Sequence, residues 1–391
     1  MALFDIEEYQ ERVRKTKVSM TEKGIDVLVV SDPANMNYLT GYDGWSFYVP
    51  QVVVLSLDDE APVWVGRGMD ANGARHTTYL SDDRIIGYAD DFVQTPLKHP
   101  MQVVADEIKR RGWGSKTIGT EMDAYYFSAK SFVELQKNLP EAKFDDANLL
   151  VSWVRIIKSA GEIEFMQKAG KIVERVMQKA IDTVAPGVRE CDAVAEIYRT
   201  QIRGTDTFGG DYTALVPMMP SGDKTSTPHL TWTDEPYQNE IAVNMELAAC
   251  HNRYHSPLAR TMYLGKNPPG KLVDTSKVVV EGCNEALDAI KPGVKCEEIE
   301  LVWRRVIARA GLEKESRIGY SMGLNYPPDW GEHTASLRPG DKTVLEPNMT
   351  FHMILGMWMD DWGFECSESF RVTDEGHETF ADFPRQLFIK E

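Results

Sequence analysis

The segment IAVNMELAA (241–249) carries one ionisable residue, Glu246, inside an otherwise apolar strand pattern. An ionised carboxylate there is costly unless it meets a cation or a partner. Glu246 is therefore a candidate for holding a positively charged ligand. The competing expectation is structural, with Glu246 paired to Arg253 or Arg260. A second acidic strand, FECSES (364–369), supplies Glu365 and Glu368. Side chains alternate along a strand, so these two, three apart, point to opposite faces and only one is expected to reach a site. Aromatic residues gather in the same regions: Trp330, Trp358 and Tyr320, with His333 and His352 nearby. A ring over a desolvated cation gains about 1–2 kcal/mol, although most aromatic residues in any chain serve packing.

The elements that must position these groups are legible in outline. The 391 residues exceed the usual size of one domain, so two are expected. With 43 basic and 60 acidic residues, the net charge of −17 disfavours nucleic acid or an anionic membrane as partner and suits a cationic ligand or a solvated surface. No apolar run reaches membrane-spanning length and the first residues lack an apolar signal core, so a cytoplasmic protein is expected. The five cysteines (Cys191, Cys250, Cys283, Cys296, Cys366) are scattered and read as reduced thiols.

Helical periodicity runs to about residue 20. IDVLVVSD (25–32) then reads as a buried strand ending in a turn at Asp32-Pro33. VVVLSL (52–57), PVWVG (62–66) and KTIGTEM (116–122) are further strands, and VVADEIKRRG (103–112) is an amphipathic helix. Residues 1–155 thus form an α/β domain. A helix beginning after Ser159, with Ile163, Met166, Ile172, Val173, Val176 and Met177 on its apolar stripe, opens a second domain over 156–391. Within it AIDTVAPGV (180–188) returns as ALDAIKPGV (286–294), each copy lying between two helical patterns. This repeat implies a pseudo-twofold α+β fold whose strand-rich inserts, 211–265 and 319–373, hold the chemistry.

Six stretches, DPANMNYLTGYDG (32–44), VRIIKSAGEIEFMQKA (154–169), GGDYTALVPMMPSGDKTSTPHL (209–230), LARTMYLG (258–265), GYSMGLNYPPDWGE (319–332) and ESFRVTDEG (368–376), resemble in order the motifs of the creatinase, prolidase and methionine aminopeptidase family. The resemblance implies a C-terminal pita-bread domain, with its internal pseudo-twofold repeat, behind a smaller creatinase-type α/β domain. It also implies a homodimer, in which the segment holding Trp45 and Phe47 reaches toward the partner's site. PSGDKTSTPHLTWTDEP, GLNYPPDWGEHTASLRPGD and MTFHMILGMWMDDWG further resemble the ectoine-hydrolysing branch. That branch implies opening of the cyclic amidine ring of ectoine and 5-hydroxyectoine to an N-acetyl-diaminobutyrate. The alternatives are a creatinase-like amidinohydrolase of an acyclic guanidino acid and a catalytically inactive scaffold that binds a small solute.

Metal-dependent members of the family carry two carboxylates eleven residues apart, a histidine and two glutamates. Matched to those motifs, the five positions hold Glu246, Pro257, Tyr320, Ile354 and Ser367 here, with Glu368 one residue from the last. Proline, isoleucine and tyrosine are poor or impossible ligands for a hard divalent cation, so no metal and no other cofactor is expected. An amidinium carbon is already electrophilic, and a carboxylate attracts it where metal cations would repel it. By the same resemblance His229 is the general acid and base. Glu246, Glu365 and Glu368 complete the catalytic candidates, and Trp45, Phe47, Tyr320, Trp330, His333, His352 and Trp358 the substrate-binding ones. The substrate carboxylate would need a cationic clamp, for which Arg67, Arg260, Arg317 and Arg338 are candidates.

Overall fold

The computed structural model describes residues 2–391, which divide into two compact units at Arg155/Ile156. The first unit runs α1 (Ile6–Glu22), β1 (Val27–Val30), α2 (Pro33–Thr40), β2 (Val52–Ser56), β3 (Val63–Arg67), α3 (Ala71–Thr77), β4 (Ile85–Tyr88), α4 (Pro100–Arg110), β5 (Thr117–Thr120), α5 (Ala129–Asn138), β6 (Lys143–Asp146) and α6 (Leu150–Val154). Its six strands form one mixed sheet in the order β4-β3-β2-β1-β5-β6, antiparallel across β1–β2–β3 and parallel elsewhere. β1 and β2 are buried at every position, which explains why their sequences are continuous apolar runs. At Asp32-Pro33 the expected turn is a helix start. The Asp32 side chain accepts the N–H groups of Ala34 and Asn35, and Pro33 occupies the first turn, where its missing N–H costs nothing.

The second unit runs α7 (Ala160–Thr183), α8 (Glu190–Arg203), β7 (Ile241–His251), β8 (Tyr254–Leu264), α9 (Gly270–Asp288), α10 (Cys296–Arg309), β9 (Gly319–Met322), β10 (Gly331–Leu337), β11 (Thr350–Trp358), β12 (Gly363–Val372), β13 (His377–Thr379) and β14 (Phe388–Lys390). A capping box between Ser159 and Glu162 starts α7, and the six apolar residues read from its sequence are all buried. In both copies of the repeat a glycine with positive φ, Gly187 and Gly293, turns the chain between the paired helices. α7 and α8 pack on the β7–β8 hairpin, and α9 and α10 pack on β11 and β12. The strands form a three-stranded sheet, β14-β8-β7, and a five-stranded sheet, β10-β9-β11-β12-β13.

β8 and β12 face each other across a seam bridged largely by hydroxyls. Ser367 Oγ accepts the Ala259 N–H at 2.6 Å, Ser369 Oγ donates to the Pro257 carbonyl at 2.6 Å, and Thr261 Oγ1 accepts the Glu365 N–H at 2.8 Å. On the far side of the seam Arg260 is fully buried, and all five of its N–H donors are used. Four go to the carbonyls of Pro384, Ala259, Ser367 and Phe383, and one goes to Glu368 at 2.6 Å. Arg385 adds a second ion pair to Glu368 at 3.0 Å.

Breaking a buried ion pair from one side strands the other charge and costs about 3–5 kcal/mol. Arg260→Met should therefore lower stability by about 3 kcal/mol or more in urea unfolding, with Glu368→Gln milder because its neutral amide still accepts. A loss below about 1 kcal/mol for Arg260→Met would show that the seam does not depend on this pair.

Candidate active site

Strand register gathers the chemistry on one face. Glu246 pairs with Ala259, and Asn244 with Thr261, across the hairpin; Ile354 pairs with Ser367, and Gly356 with Glu365, between β11 and β12. His352 pairs with Tyr320 on β9. Alternation therefore sends Asn244 and Glu246, Glu365 and Ser367, and His352 and Trp358 to the common side of their respective strands. Glu368 goes to the other side, where Arg260 and Arg385 hold it. Of the two acidic candidates on β12, Glu365 shares the face of Glu246 and His352, whereas Glu368, expected among the catalytic residues, lies on the opposite face in ion pairs with Arg260 and Arg385.

Glu246 is 6% exposed, and its carboxylate has no hydrogen-bond or ion-pair partner among the described residues. The expected structural pairings are absent, since Arg260 is spent on the seam and Arg253 lies over the Tyr212 ring at 3.7 Å. Burial, then the charge of Glu365, then that of Asp329 push the Glu246 carboxyl well above the usual range. Glu365 is fully buried. Its Oε1 accepts from Trp358 Nε1 at 2.8 Å and from Asn244 Nδ2 at 3.4 Å, and its Oε2 has no partner. Burial pushes Glu365 up to about 7, against the opposing pull of Trp358, Lys314 and Asn244. Two buried carboxylates thus sit within reach of each other's charge, with oxygens unsatisfied by the protein.

Beside them runs a neutral polar chain. Trp330 Nε1 donates to the Tyr320 hydroxyl at 2.8 Å, the Tyr320 oxygen lies 3.0 Å from His352 Nδ1, and His352 Nε2 lies 2.9 Å from Ser367 Oγ. Burial drives His352 down to about 3 and the Tyr320 hydroxyl upward, so both are neutral at physiological pH. His352, Trp330 and Tyr320 are brought together, as the sequence suggested. His333 stands apart from this chain, with Nε2 2.7 Å from Asp329 Oδ2. Burial resists ionisation of Asp329, but His333 and the Gly331 N–H outweigh it and hold the carboxyl below its usual range.

His229 lies on an exposed loop without a polar partner among the described residues. The loop runs along the site strand: Met218 bridges Glu246, and the adjoining Met219 N–H donates to the Leu230 carbonyl. Trp45 and Phe47 belong to the first unit, with ring centroids 4.8 Å apart and Trp45 62% exposed. Among the arginines, Arg67 pairs with Asp90 in the first unit, Arg338 is exposed, and Arg317 stacks on the Tyr320 ring at 4.5 Å while donating to Ser336. Sequence reading missed Asn244 and Lys314. Lys314 is buried beneath the site, in a charged segment, GLEKES, that reads as a solvated loop. Nothing local signals its burial.

The residues do not fit a metal centre. Where a hard divalent cation needs oxygen and imidazole donors, the hairpin offers Pro257 and Ala259 and the second sheet offers Ile354 and Ser367. Among the described residues no three histidine, cysteine, aspartate or glutamate side chains converge to hold a metal ion.

Residues 12–157 match the creatinase/prolidase N-terminal domain, and residues 164–374 match metallopeptidase family M24. Over 99% of the chain and 98% of the relative, the sequence is 48% identical to the ectoine hydrolase of Halomonas elongata. Among solved structures it resembles dipeptidase PepE of Mycobacterium ulcerans, with a TM-score of 0.81, 21% identity and 99% of both chains covered. It also resembles a prolidase of Thermococcus sibiricus, with a TM-score of 0.84, 19% identity, and 97% of this chain and 99% of that one covered. Both structural likenesses speak for the fold alone. The two profiles and the full-length relative agree, and the chain belongs to metallopeptidase family M24 as a hydrolase of the creatinase/prolidase type.

Proposed function

We propose that this hydrolase opens the cyclic amidine ring of ectoine, and of 5-hydroxyectoine, to an N-acetyl-2,4-diaminobutyrate without a metal ion, as a cytoplasmic homodimer. The observation that carries the reading is the buried pair Glu246 and Glu365, neither in ion-pair contact with a cation, in a site where no three metal-ligating side chains converge among the described residues. The near full-length likeness to an ectoine hydrolase supports the choice of ring. An amidinium supplies the missing positive charge and brings its own electrophilic carbon. The work left to the protein is to orient that carbon and move protons.

In the proposed reaction the amidinium rests against Glu246. The water oxygen adds to C2 as one water proton passes to Glu365, whose near-neutral titration suits that exchange. The bond from C2 to one ring nitrogen then breaks, with its electron pair remaining on nitrogen. His229, on the loop beside the Glu246 strand, protonates that nitrogen. The C2 hydroxyl proton passes to the amine just formed, leaving an acetamide carbonyl, and the proton held by Glu365 returns to His229, so both groups are restored and the released ammonium gains two protons in balance with the water consumed. The neutral chain of Tyr320, His352 and Ser367 holds the pocket wall without adding a charge that would compete with the substrate.

Metal-stripped protein should convert ectoine to N-acetyl-diaminobutyrate at the rate of untreated protein, followed by chromatography of the product. Turnover that appears only on adding Mn²⁺ or Zn²⁺ would overturn metal independence, and preferential cleavage of creatine would overturn the choice of substrate.

Glu246→Gln should lower kcat/KM about 100- to 1,000-fold, and His229→Ala about 100-fold. Glu246→Gln should leave the melting temperature unchanged or higher, because it removes an uncompensated buried charge. A lower melting temperature would mean that Glu246 serves the fold.

Protons compete with the cation for the carboxylates, so kcat/KM should rise with pH through about 7. Both folded-state values are raised above the ordinary 4.5. The ligand-free protein should therefore lose stability as pH rises from about 4.5 through neutrality, and added ectoine should restore it. A kcat/KM that is flat between pH 5.5 and about 8 would contradict this.

A further inference from the structure

Lys314 lies between α10 and β9 and is 8% exposed. Its Nζ donates to the Gly356 carbonyl at 2.6 Å and stands 4.0 Å over the Trp358 ring. Among the described residues no carboxylate lies within ion-pair distance of it. Glu365 acts on it through space, while its Oε1 receives the Trp358 indole N–H. An ammonium carries three N–H donors, and one is used. A buried ammonium without an ion-pair partner is costly even over an indole face, and a ligand anion would offset that cost.

The site therefore holds two unpaired charges of opposite sign. Glu246 and Glu365 form the anionic end, and Lys314 forms the cationic end, one indole away from Glu365. Burial also lowers the Lys314 ammonium to about 8, which leaves it mostly charged at neutral pH. A ligand with a cation and an anion a few ångströms apart satisfies both ends at once. Arg260, the buried arginine of the seam, has no donor left for this role, whereas Lys314 has two.

We propose that Lys314 is the specificity-determining residue that binds the carboxylate of a zwitterionic cyclic amidine through its two unused N–H donors, while Glu246 and Glu365 hold the amidinium. The inference rests on the reading of the site as a cyclic-amidine hydrolase. It assigns the group that separates an amidine bearing a carboxylate from one without it.

The test compares two rings, ectoine and 2-methyl-1,4,5,6-tetrahydropyrimidine, which is the same ring without its carboxylate, on wild-type protein and on Lys314→Met. Wild type should prefer ectoine, and Lys314→Met should lower the ratio of kcat/KM for ectoine to that for the carboxylate-free ring about 30-fold, whatever loss through Glu365 the two rings share. An equal loss on both rings would overturn the assignment and make Lys314 a prop for Trp358 and Glu365. So would a carboxylate-specific loss seen with Arg317→Met and not with Lys314→Met. If Lys314→Met does not fold, the wild-type ratio of kcat/KM for the two rings decides: a ratio near one excludes a carboxylate clamp, and a ratio above about 30 supports it. If wild type hydrolyses neither ring, the proposed reaction falls separately. Calorimetric titration of both rings then reads the clamp alone, and equal affinity, or no binding, overturns it.

Discussion

Two carboxylates removed from water with no cation in ion-pair contact dominate the second unit. Isolated buried charge costs several kcal/mol, and Glu246 and Glu365 compound it by repelling each other. The surroundings make the arrangement tolerable without cancelling it. Trp358 and Asn244 each donate to one Glu365 oxygen, and the hydroxyls of Thr261, Ser367 and Ser369 lock the β8–β12 seam so that the two strands cannot drift apart. On the opposite side Arg260 and Arg385 neutralise Glu368. Negative charge is thereby satisfied on one face of β12 and left unsatisfied on the other. That difference is what the proposed cation site rests on.

The pocket wall follows from the same constraint. Tyr320, His352 and Ser367 are all able to hydrogen-bond without adding charge: burial keeps the Tyr320 hydroxyl and the His352 ring neutral, and the Ser367 hydroxyl carries none. Their dipoles are fixed in advance by Trp330 at one end and the Ala259 N–H at the other. A charged imidazole here would offset the carboxylates and weaken the pull on a cation. A neutral one fixes geometry while leaving that pull intact.

Much of this was legible in the sequence, for identifiable reasons. Helix faces and the PGV repeat follow local periodicity, and the separation of Glu365 from Glu368 follows from three-residue spacing in a strand. Glu246 stood out because its neighbours are apolar. The helix that starts at Pro33 was hidden by a dipeptide that serves turns and helix starts equally. Lys314 and Asn244 were hidden more deeply, because their meaning depends on Gly356, Trp358 and Glu365, which lie 42 or more residues away from one or 121 from the other. Charge in a loop says nothing about what will fold over it.

Around Glu246 the hairpin carries small, uncharged residues, Ala248 beside it on β7 and Pro257 and Ala259 across on β8, with Pro257 at the position that the family resemblance assigns to a metal ligand. This bears on the direction in which such a site can evolve. Restoring one aspartate at position 257 would add a third buried carboxylate before any histidine or glutamate existed to help capture a metal. The intermediate would be less stable than either end point and would have neither activity. If a substrate's own charge stands in for metal ligands, as proposed, the path back requires several coordinated substitutions, and the exchange works as a ratchet rather than a switch.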